Sequence, residues 1–256
     1  LSAHGFVTNG GPDGNRLRVG VPGIREYLIA KGYAWAASSY RCNGYVPGVA
    51  LQDTMALTDL FVRYNKGVAP RRTYLTGVSM GGHVTLLGMQ VYPTQFAGAL
   101  AMCPSGPELF DYTTAVGAAA EVVTGLRFDD PATVGATTRR MAELLGEPPN
   151  YTEKGRQLAS AEIALSGGPR PFAAQGLRGR FLQNISGGAL AGGQSASNRA
   201  STNAHYSYRV DDGLGLTSAD LNAAVRRKAA DQAMRGPSAP FAEVAPFTGR
   251  IERPVM

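Results

Sequence analysis

The segment from Tyr74 to His83 reads YLTGVSMGGH and predicts a strand, one sharp turn and the start of a helix. Ser79 lies at the turn, where the backbone of a serine is strained and the chain on either side of it passes very closely. Such a turn requires glycine two residues before and two residues after the serine, and Gly77 and Gly81 occupy these positions. The helix that follows directs its free N–H groups and the positive end of its dipole at an oxygen that becomes charged. The pattern therefore predicts a nucleophile elbow that presents the Ser79 hydroxyl.

The residues on both sides of this turn support the prediction. The chain contains 33 glycines, so the five-residue pattern alone also fits a glycine-rich turn with a solvated serine. Before the turn, the apolar pair Tyr74-Leu75 predicts a short buried strand. After it, a helical pattern ends near Pro93, and its apolar positions are Val84, Leu86, Leu87 and Val91. A strand and a helix at these two places favour the elbow over the glycine-rich turn.

Length and composition limit the classes of protein to which this chain can belong. Its 256 residues, 44% hydrophobic and 17% charged, predict one sizeable core with room for an inserted subdomain. No apolar run reaches the ~20 residues that span a bilayer and no signal segment opens the chain, so we predict no membrane span and leave the localisation open. The net charge of +6 comes from scattered arginines, which argues against a nucleic-acid partner. An excess of arginine over lysine with abundant alanine is typical of a bacterial protein.

The cysteines and the glycine patterns indicate no metal and no cofactor. Cys42 and Cys103 are too few and too far apart in sequence for a zinc ligand set. They form either a disulfide or two buried thiols, and we favour the thiols. The chain has neither a Gly-x-Gly-x-x-Gly pattern after a strand nor a Gly-Lys-Ser/Thr loop. We therefore predict a site without a metal ion or a bound nucleotide cofactor.

Predicted strands and helices alternate on both sides of the elbow. The predicted strands are one that ends at His4-Gly5-Phe6, then 33–40, the strand before the elbow, and 96–102. The predicted helices are 21–31, one that begins near Asp53 and ends at Gly67, and the one after the elbow, with a loop at 41–49. This alternation predicts a parallel sheet covered on both faces. A site belongs at the carboxyl ends of the strands, which are His4-Gly5-Phe6, Tyr40-Arg41-Cys42, Ser79 and Cys103-Pro104-Ser105.

These motifs resemble the α/β-hydrolase family, with the elbow at 77–81 and His4-Gly5-Phe6 in the place of the loop that supplies the other oxyanion donor. The resemblance covers residues 1–104 and implies a parallel-sheet α/β-hydrolase core. It implies that Ser79 is the nucleophile and that the backbone N–H groups of Phe6 and Met80 form the oxyanion hole. The implied reaction is hydrolysis of a small or polymeric carboxylic ester through an acyl-enzyme. The same machinery cleaves peptides and amides, so these substrates remain an alternative.

Residues 105–246 predict helices without intervening strands. The predicted helices are 111–124, 131–145, 152–166 and 218–234, and a Gly/Ser/Asn-rich stretch occupies 186–201. In α/β-hydrolases a helical cap inserted after the sixth strand covers the acyl or alcohol pocket, and the resemblance implies that role for this segment. A stabilising insertion without a binding role is the alternative, because surface insertions are well tolerated. Residues 247–256 resemble the start of the next strand of the core.

The resemblance also implies an acid and a histidine beyond the seventh strand, and neither has a place in the 256 residues. We therefore expect a fragment of a longer product, or a second polypeptide that completes the sheet and the triad. Of the histidines present, we expect His4 to fix the oxyanion loop and His83 to be structural. His205 with Asp211 or Asp212 is an alternative base and acid, although their order along the chain differs from the family pattern. The missing pair also favours a rival function, a protein of the same fold that binds a ligand without turnover.

Overall fold

The computed structural model describes residues 1–7, 16–105, 107–128, 131–177, 181, 184–185, 205–211 and 213–234. The described residues divide into two compact units, which lie within Leu1–Gly106 and Pro107–Ala239. The sequence pattern changes from alternating strands and helices to helices alone at residues 104–105. The Gly/Ser/Asn-rich stretch at 186–201 and the predicted return to the core at 247–256 lie outside the described residues.

The described residues of the first unit form a parallel sheet with helices. The strands are β1 (Ser2–Ala3), β2 (Tyr74–Val78) and β3 (Gly98–Met102), and the helices are α1 (Arg25–Ala30), α2 (Pro47–Tyr64) and α3 (Met80–Val91). The strand order is β1-β2-β3, and Thr76 of β2 lies opposite Ser2 on one side and Leu100 on the other. The predicted α/β class with a parallel sheet is confirmed for these three strands.

The core of the first unit lies where α3 packs on the sheet. Burial alternates along β2, so that Leu75 faces the core and is fully buried. It clusters with Met89 of α3, with Phe96, and with Ala99 of β3. A Cβ at Gly88 would lie 2.6 Å from Leu75 Cδ2, so the helix lies very close to the strand at this point. Burial of each large side chain here contributes about 1.5–3 kcal/mol.

The predicted strand at 33–40 is wrong for most of its length. One parallel bridge, between Ala37 and Ser2, joins this segment to β1 on the side away from β2. The Tyr40 N–H donates to the Ser38 hydroxyl at 2.9 Å, and Tyr40 has a φ of 55°. A side chain that takes the backbone donor competes with the strand ladder, and a residue in the left-handed region turns the chain away from the sheet.

Two helices of the first unit begin at residues other than those predicted. The helix predicted at 21–31 is the shorter α1, in which no residue is buried, so the apolar spacing there does not mark a core face. Helix α2 starts at Pro47, which is favourable at a first helical position, rather than near Asp53. The Asp53 carboxylate accepts from the Arg41 backbone N–H at 2.7 Å and from Arg41 Nε at 2.8 Å. Asp53, near which the helix was predicted to begin, therefore anchors the preceding loop instead.

The described residues of the second unit are mainly helical. The helices are α4 (Pro107–Thr124), α5 (Val134–Leu145), α6 (Glu153–Leu165), α7 (Ala173–Leu177) and α8 (Ser218–Met234), with a 3-10 turn at Pro131–Thr133. The prediction of helices without strands is wrong at one place, where β4 (Gly146–Glu147) pairs antiparallel with β5 (Asn150–Tyr151). Strands of two residues, joined by a Pro148-Pro149 turn, are too short to show an alternating pattern in the sequence. The short helix α7 was not predicted either.

Helix α4 packs against both α6 and α8. Its inner face carries small, fully buried residues, which are Ala115, Ala118, Ala119 and Ala120. Small side chains let the helices approach closely and fill the space between them without voids. The neighbouring Glu121 is buried, and its carboxylate accepts from Lys228 Nζ at 2.7 Å and from the guanidinium of Arg227. It also accepts the Phe128 backbone N–H at 3.1 Å, so this buried charge is paired on both oxygens.

A second buried carboxyl group, Glu162 of α6, has a different environment. Its side chain is fully buried, and Oε2 accepts from Asn184 Nδ2 at 2.9 Å. The same amide donates to the Tyr112 hydroxyl at 3.3 Å. Oε1 has no hydrogen-bond partner among the described residues. Burial raises the pKa of Glu162 to about 8, so the carboxyl group is mostly protonated at neutral pH.

We expect the second unit to become less stable as the pH rises toward 8, and Glu162→Gln to remove this loss. The folded-state pKa of about 8 lies above the value of about 4.3 in an unfolded chain, so the folded state holds the proton more tightly. The resulting stabilisation is complete below the unfolded pKa and decreases by at most about 1.4 kcal/mol per pH unit until the folded pKa is passed. Urea unfolding of the full chain at about pH 5, 7 and 9 measures it. The exposed Glu147 provides a control, because Glu147→Gln should keep the wild-type dependence of the free energy of unfolding on pH. If the free energy of unfolding of Glu162→Gln decreased with pH as steeply as that of the wild type, the expectation would be contradicted.

Candidate active site

Ser79 lies between β2 and α3 in a backbone conformation that residues with a side chain rarely adopt. Its φ is 57° and its ψ is −121°, and the residue is exposed. The Ser79 N–H donates to the Met102 carbonyl at 3.1 Å, and its own carbonyl accepts from the N–H groups of His83 and Ser105, both at 3.1 Å. A conformation of this kind costs about 1–3 kcal/mol and is found mainly at functional sites. The surrounding backbone therefore holds the Ser79 side chain in a strained and accessible position.

The glycines around Ser79 lie where the chain leaves no space for a side chain. A Cβ at Gly77 would overlap the carbonyl group of Gly81, and a Cβ at Gly81 would overlap the carbonyl group of Ala3. A Cβ at Gly82 would lie only 2.8 Å from the Cα of Pro104. The close passage of the chain that the glycine spacing predicts is therefore confirmed, because α3 starts directly against the ends of β1 and β3.

Three of the four segments predicted at the carboxyl ends of strands lie there, whereas Tyr40-Arg41-Cys42 follows an isolated bridge at Ala37 and not a strand. Residues 4–6 follow β1, Ser79 follows β2, and residues 103–105 follow β3. The chain passes from β1 to the bridge segment at Ala37 on one side and then returns to β2 on the other side. Such a reversal of strand order opens a crevice at the carboxyl ends, which is where α/β sheets bind ligands. Ser79 follows β2 at the carboxyl-end position where this rule predicts such a crevice.

The loop after β1 lies directly beside the serine. A Cβ at Gly5 would be 3.7 Å from Ser79 Cβ and 3.5 Å from the Val78 carbonyl oxygen, so only ordinary contact distance separates the two segments. Phe6, the next residue, is 42% exposed, whereas Met80 is buried at the start of α3. The structure thus brings the segment of Phe6 next to Ser79, and Met80 follows Ser79 directly in the chain.

His4 holds this loop in place. Its ring stacks on Tyr40 with a centroid distance of 3.9 Å, and Nδ1 donates to the Gly5 carbonyl at 2.7 Å. The Tyr40 hydroxyl donates to the His4 carbonyl at 3.1 Å, and burial raises the pKa of that hydroxyl. The Nε2 atom of His4 is buried without a hydrogen-bond partner among the described residues. These contacts agree with a positioning role for His4.

His83 is buried behind the elbow, and it belongs to a network that the sequence did not reveal. The Tyr45 hydroxyl donates to the Ser105 carbonyl at 2.6 Å and lies 2.8 Å from His83 Nδ1. Because the hydroxyl has a single proton, Nδ1 of His83 is the donor in the second hydrogen bond. The next residue, Val46, places its N–H 3.3 Å from the sulfur of Met80. Tyr45 therefore ties the loop before α2 to α3 and to the segment after β3.

The sequence contains no strong local signal for the role of Tyr45. The residue lies in the stretch 41–49, which was predicted to be a loop, and its partners are 38 and 60 positions away in the chain. A buried tyrosine requires a partner for its hydroxyl, but the sequence does not identify that partner. Only the folded sheet brings Tyr45, His83 and Ser105 together.

The alternative base and acid belong to the second unit. His205 is exposed, with its ring 4.5 Å from the Tyr206 ring. Asp211 accepts from the Ser218 N–H at 2.7 Å and from the Ser218 hydroxyl at 2.5 Å, and these hydrogen bonds lower the pKa of Asp211. Its carboxylate is thus engaged at the start of α8, and among the described residues no hydrogen bond joins it to His205. Asp212, the other candidate acid, lies outside the described residues.

The described residues give little basis for a metal site. They contain no group of three or more His, Cys, Asp or Glu residues that could hold a metal ion.

Both cysteines are free, as expected, but the prediction of buried thiols is wrong because Cys103 is exposed and Cys42 is half-buried. Burial raises the pKa of the Cys42 thiol. None of the helices in the described part of the chain is long and apolar enough to cross a bilayer.

The site is defined by the backbone geometry, the glycine contacts and the hydrogen bonds around Ser79. These features all lie within the first unit. Comparison of the chain with models of known protein families, with curated proteins and with solved structures gives no significant match to any of them.

Proposed function

We propose that this protein is a serine hydrolase of the α/β-hydrolase type that cleaves carboxylic esters through an acyl-enzyme on Ser79. The observation that carries the proposal is the exposed serine at a φ of 57°, between a parallel strand and a helix, with no space for a side chain at Gly77 or Gly81. A structural turn has no need for this strain, whereas a nucleophile gains an accessible hydroxyl from it. Ester rather than amide substrates are proposed from the resemblance alone.

In this mechanism the Ser79 oxygen attacks the carbonyl carbon while a general base takes the hydroxyl proton. Negative charge then develops on the carbonyl oxygen, and the backbone N–H groups of Met80 and Phe6 stabilise it from either side. The positive end of the α3 dipole is directed at the same place. The base returns the proton to the departing alkoxide, so that an alcohol leaves and an ester remains on Ser79. Water, deprotonated by the same base, then attacks this ester, and the base returns the proton to Ser79 as the acid is released.

One observation favours a second function, which is ligand binding without turnover. His83 is buried with Nδ1 engaged by Tyr45, and His4 is packed against Tyr40 with Nδ1 directed at a carbonyl group. Both histidines of the first unit are therefore engaged in holding the fold, and among the described residues neither is hydrogen-bonded to the Ser79 hydroxyl. Ligand binding without turnover needs no general base, because an acyl group or an alcohol can bind beside Ser79 without proton transfer.

A fluorophosphonate probe distinguishes the two functions. We expect the full chain to take up one phosphonyl group on Ser79, located by intact mass and peptide mapping, and Ser79→Ala to take up none. The exposed Ser207 supplies a matched control, because Ser207→Ala should be labelled like the wild type. No labelling of the folded wild-type chain would contradict the enzyme and leave ligand binding as the better account. Labelling at another residue would place the nucleophile elsewhere.

A further inference from the structure

The second unit contains a cavity of about 490 Å³ whose walls come from three segments of the chain. Helix α6 contributes Ile163, the stretch that leads into α7 contributes Arg170, and the segment before α8 contributes Val210. The volume falls within the range of about 300–1,000 Å³ that small-molecule sites occupy. All lining residues belong to one compact unit, so the cavity is part of a single packed structure.

Most of the cavity wall is apolar. The apolar lining residues are Ile163, Ala164, Pro169, Ala173, Ala174 and Val210. A surface of this kind gains roughly 25 cal/mol for each Å² of hydrocarbon that it removes from water. The wall therefore favours a ligand with an apolar body over a small inorganic ion.

The polar groups of the cavity carry an excess of positive charge. Arg170 and Arg209 both line it, against the single carboxylate of Asp211. Both oxygens of that carboxylate accept hydrogen bonds from Ser218, so the carboxylate is already satisfied without a guanidinium. The formal charges of the lining residues sum to +1, because two arginines and one aspartate line the cavity.

Arg170 is held in position by the protein and keeps donors free for a ligand. Its Nη1 donates to the Gly168 carbonyl at 3.0 Å and its Nη2 to the Ser166 hydroxyl at 3.1 Å. A guanidinium has five N–H donors, so these two hydrogen bonds leave others available. Arg209 is exposed and makes no hydrogen bond or close ion pair with another described residue, although its charge contributes to the lowered pKa of Asp211. A guanidinium fork recognises a carboxylate with two parallel hydrogen bonds.

We propose that this cavity binds a medium-chain carboxylate, with its hydrocarbon chain along the apolar wall and its head between Arg170 and Arg209. The inference goes beyond the proposed function, since it concerns another site and requires no catalysis. It has one chemical link with that function, because ester hydrolysis releases an acid of this class. The Ser79 labelling experiment does not involve the cavity, so either proposal can fail alone.

Calorimetric titration of the full chain with decanoate, below its micelle concentration, tests the proposal. We expect decanoate to bind, decanol to bind more weakly, and decyltrimethylammonium and inorganic phosphate not to bind measurably. Arg170→Gln and Arg209→Gln should each weaken decanoate binding about tenfold, because each removes a charged hydrogen bond. Arg170→Lys keeps the charge without the fork and should weaken binding less than Arg170→Gln. Ala164→Phe should abolish binding by filling the cavity.

The matched control is Arg156→Gln, since Arg156 is an exposed arginine on the same helix α6 that does not line the cavity. This variant should bind decanoate like the wild type. Circular dichroism melting curves show whether each variant is folded. If a variant does not fold, the ligand series on the wild-type chain still shows whether the protein prefers a carboxylate. Equal binding of decanol and decanoate, phosphate binding as tight as decanoate binding, or no binding of decanoate at all would overturn the proposal.

Discussion

Ser79→Ala is expected to lower kcat for a short-chain nitrophenyl ester by at least about 10³-fold while leaving the melting temperature nearly unchanged. The side chain of Ser79 is exposed, and its hydroxyl makes no hydrogen bond with another described residue, so its removal leaves no buried group unsatisfied. Alanine keeps the Cβ that experiences the strain at a φ of 57°, so the backbone cost is almost the same in both proteins. The substitution is therefore expected to lower kcat and to leave the stability of the fold nearly unchanged.

The measurement is kcat beside a melting curve for the wild type, Ser79→Ala and the control Ser207→Ala, which should behave like the wild type in both assays. Retained activity in Ser79→Ala would show that another group is the nucleophile. A large drop in melting temperature would instead make Ser79 a structural residue, because stability and rate would then be lost together.

The elbow could be predicted from the sequence because its constraints are local. Gly77 and Gly81 are required because backbone atoms within a few residues, and the strand ends beside them, leave no space for a side chain. The spacing of these glycines around Ser79 is visible in the sequence itself. Helix α8 was predicted with its observed bounds, Ser218–Met234, for a similar reason. Thr217 lies just before the helix and is hydrogen-bonded to Asp220 in the first turn. This pair of neighbouring residues is a helix-start signal that can be recognised in the sequence.

The errors arise where a short polar side chain has a choice of hydrogen-bond partners. Asp53 has the chemistry of a helix cap, yet its carboxylate is used by Arg41, so α2 begins at Pro47 instead. Likewise, the Ser38 hydroxyl takes the Tyr40 N–H and ends a strand that the apolar run 33–40 predicts. In each case a short polar side chain can bond in two ways, and the three-dimensional surroundings select one. The family-level fold beyond the three observed strands remains a prediction for the same reason, because it depends on strand partners rather than on local pattern.

Gly81→Ala is expected to destabilise the first unit by more than about 4 kcal/mol, enough to unfold it or to leave it insoluble. The added Cβ would overlap the Ala3 carbonyl group and would lie 3.0 Å from the His4 carbonyl oxygen. These atoms belong to the backbone of β1 and its following loop, so no side-chain rotation can relieve the clash. Either α3 moves away from the sheet, or β1 loses its parallel pairing with β2.

Gly135 provides a control of unusual similarity, because it is the second residue of α5 as Gly81 is the second residue of α3. A Cβ at Gly135 would meet nothing within 4 Å, so Gly135→Ala should be neutral or stabilise its helix by up to about 1 kcal/mol. Urea unfolding of the two variants beside the wild type compares the same chemical change at the same helical position. If Gly81→Ala unfolded like Gly135→Ala, the close approach of α3 to β1 would be incorrect. The oxyanion arrangement proposed for Phe6 and Met80 would then lose its geometric basis, because it depends on that approach.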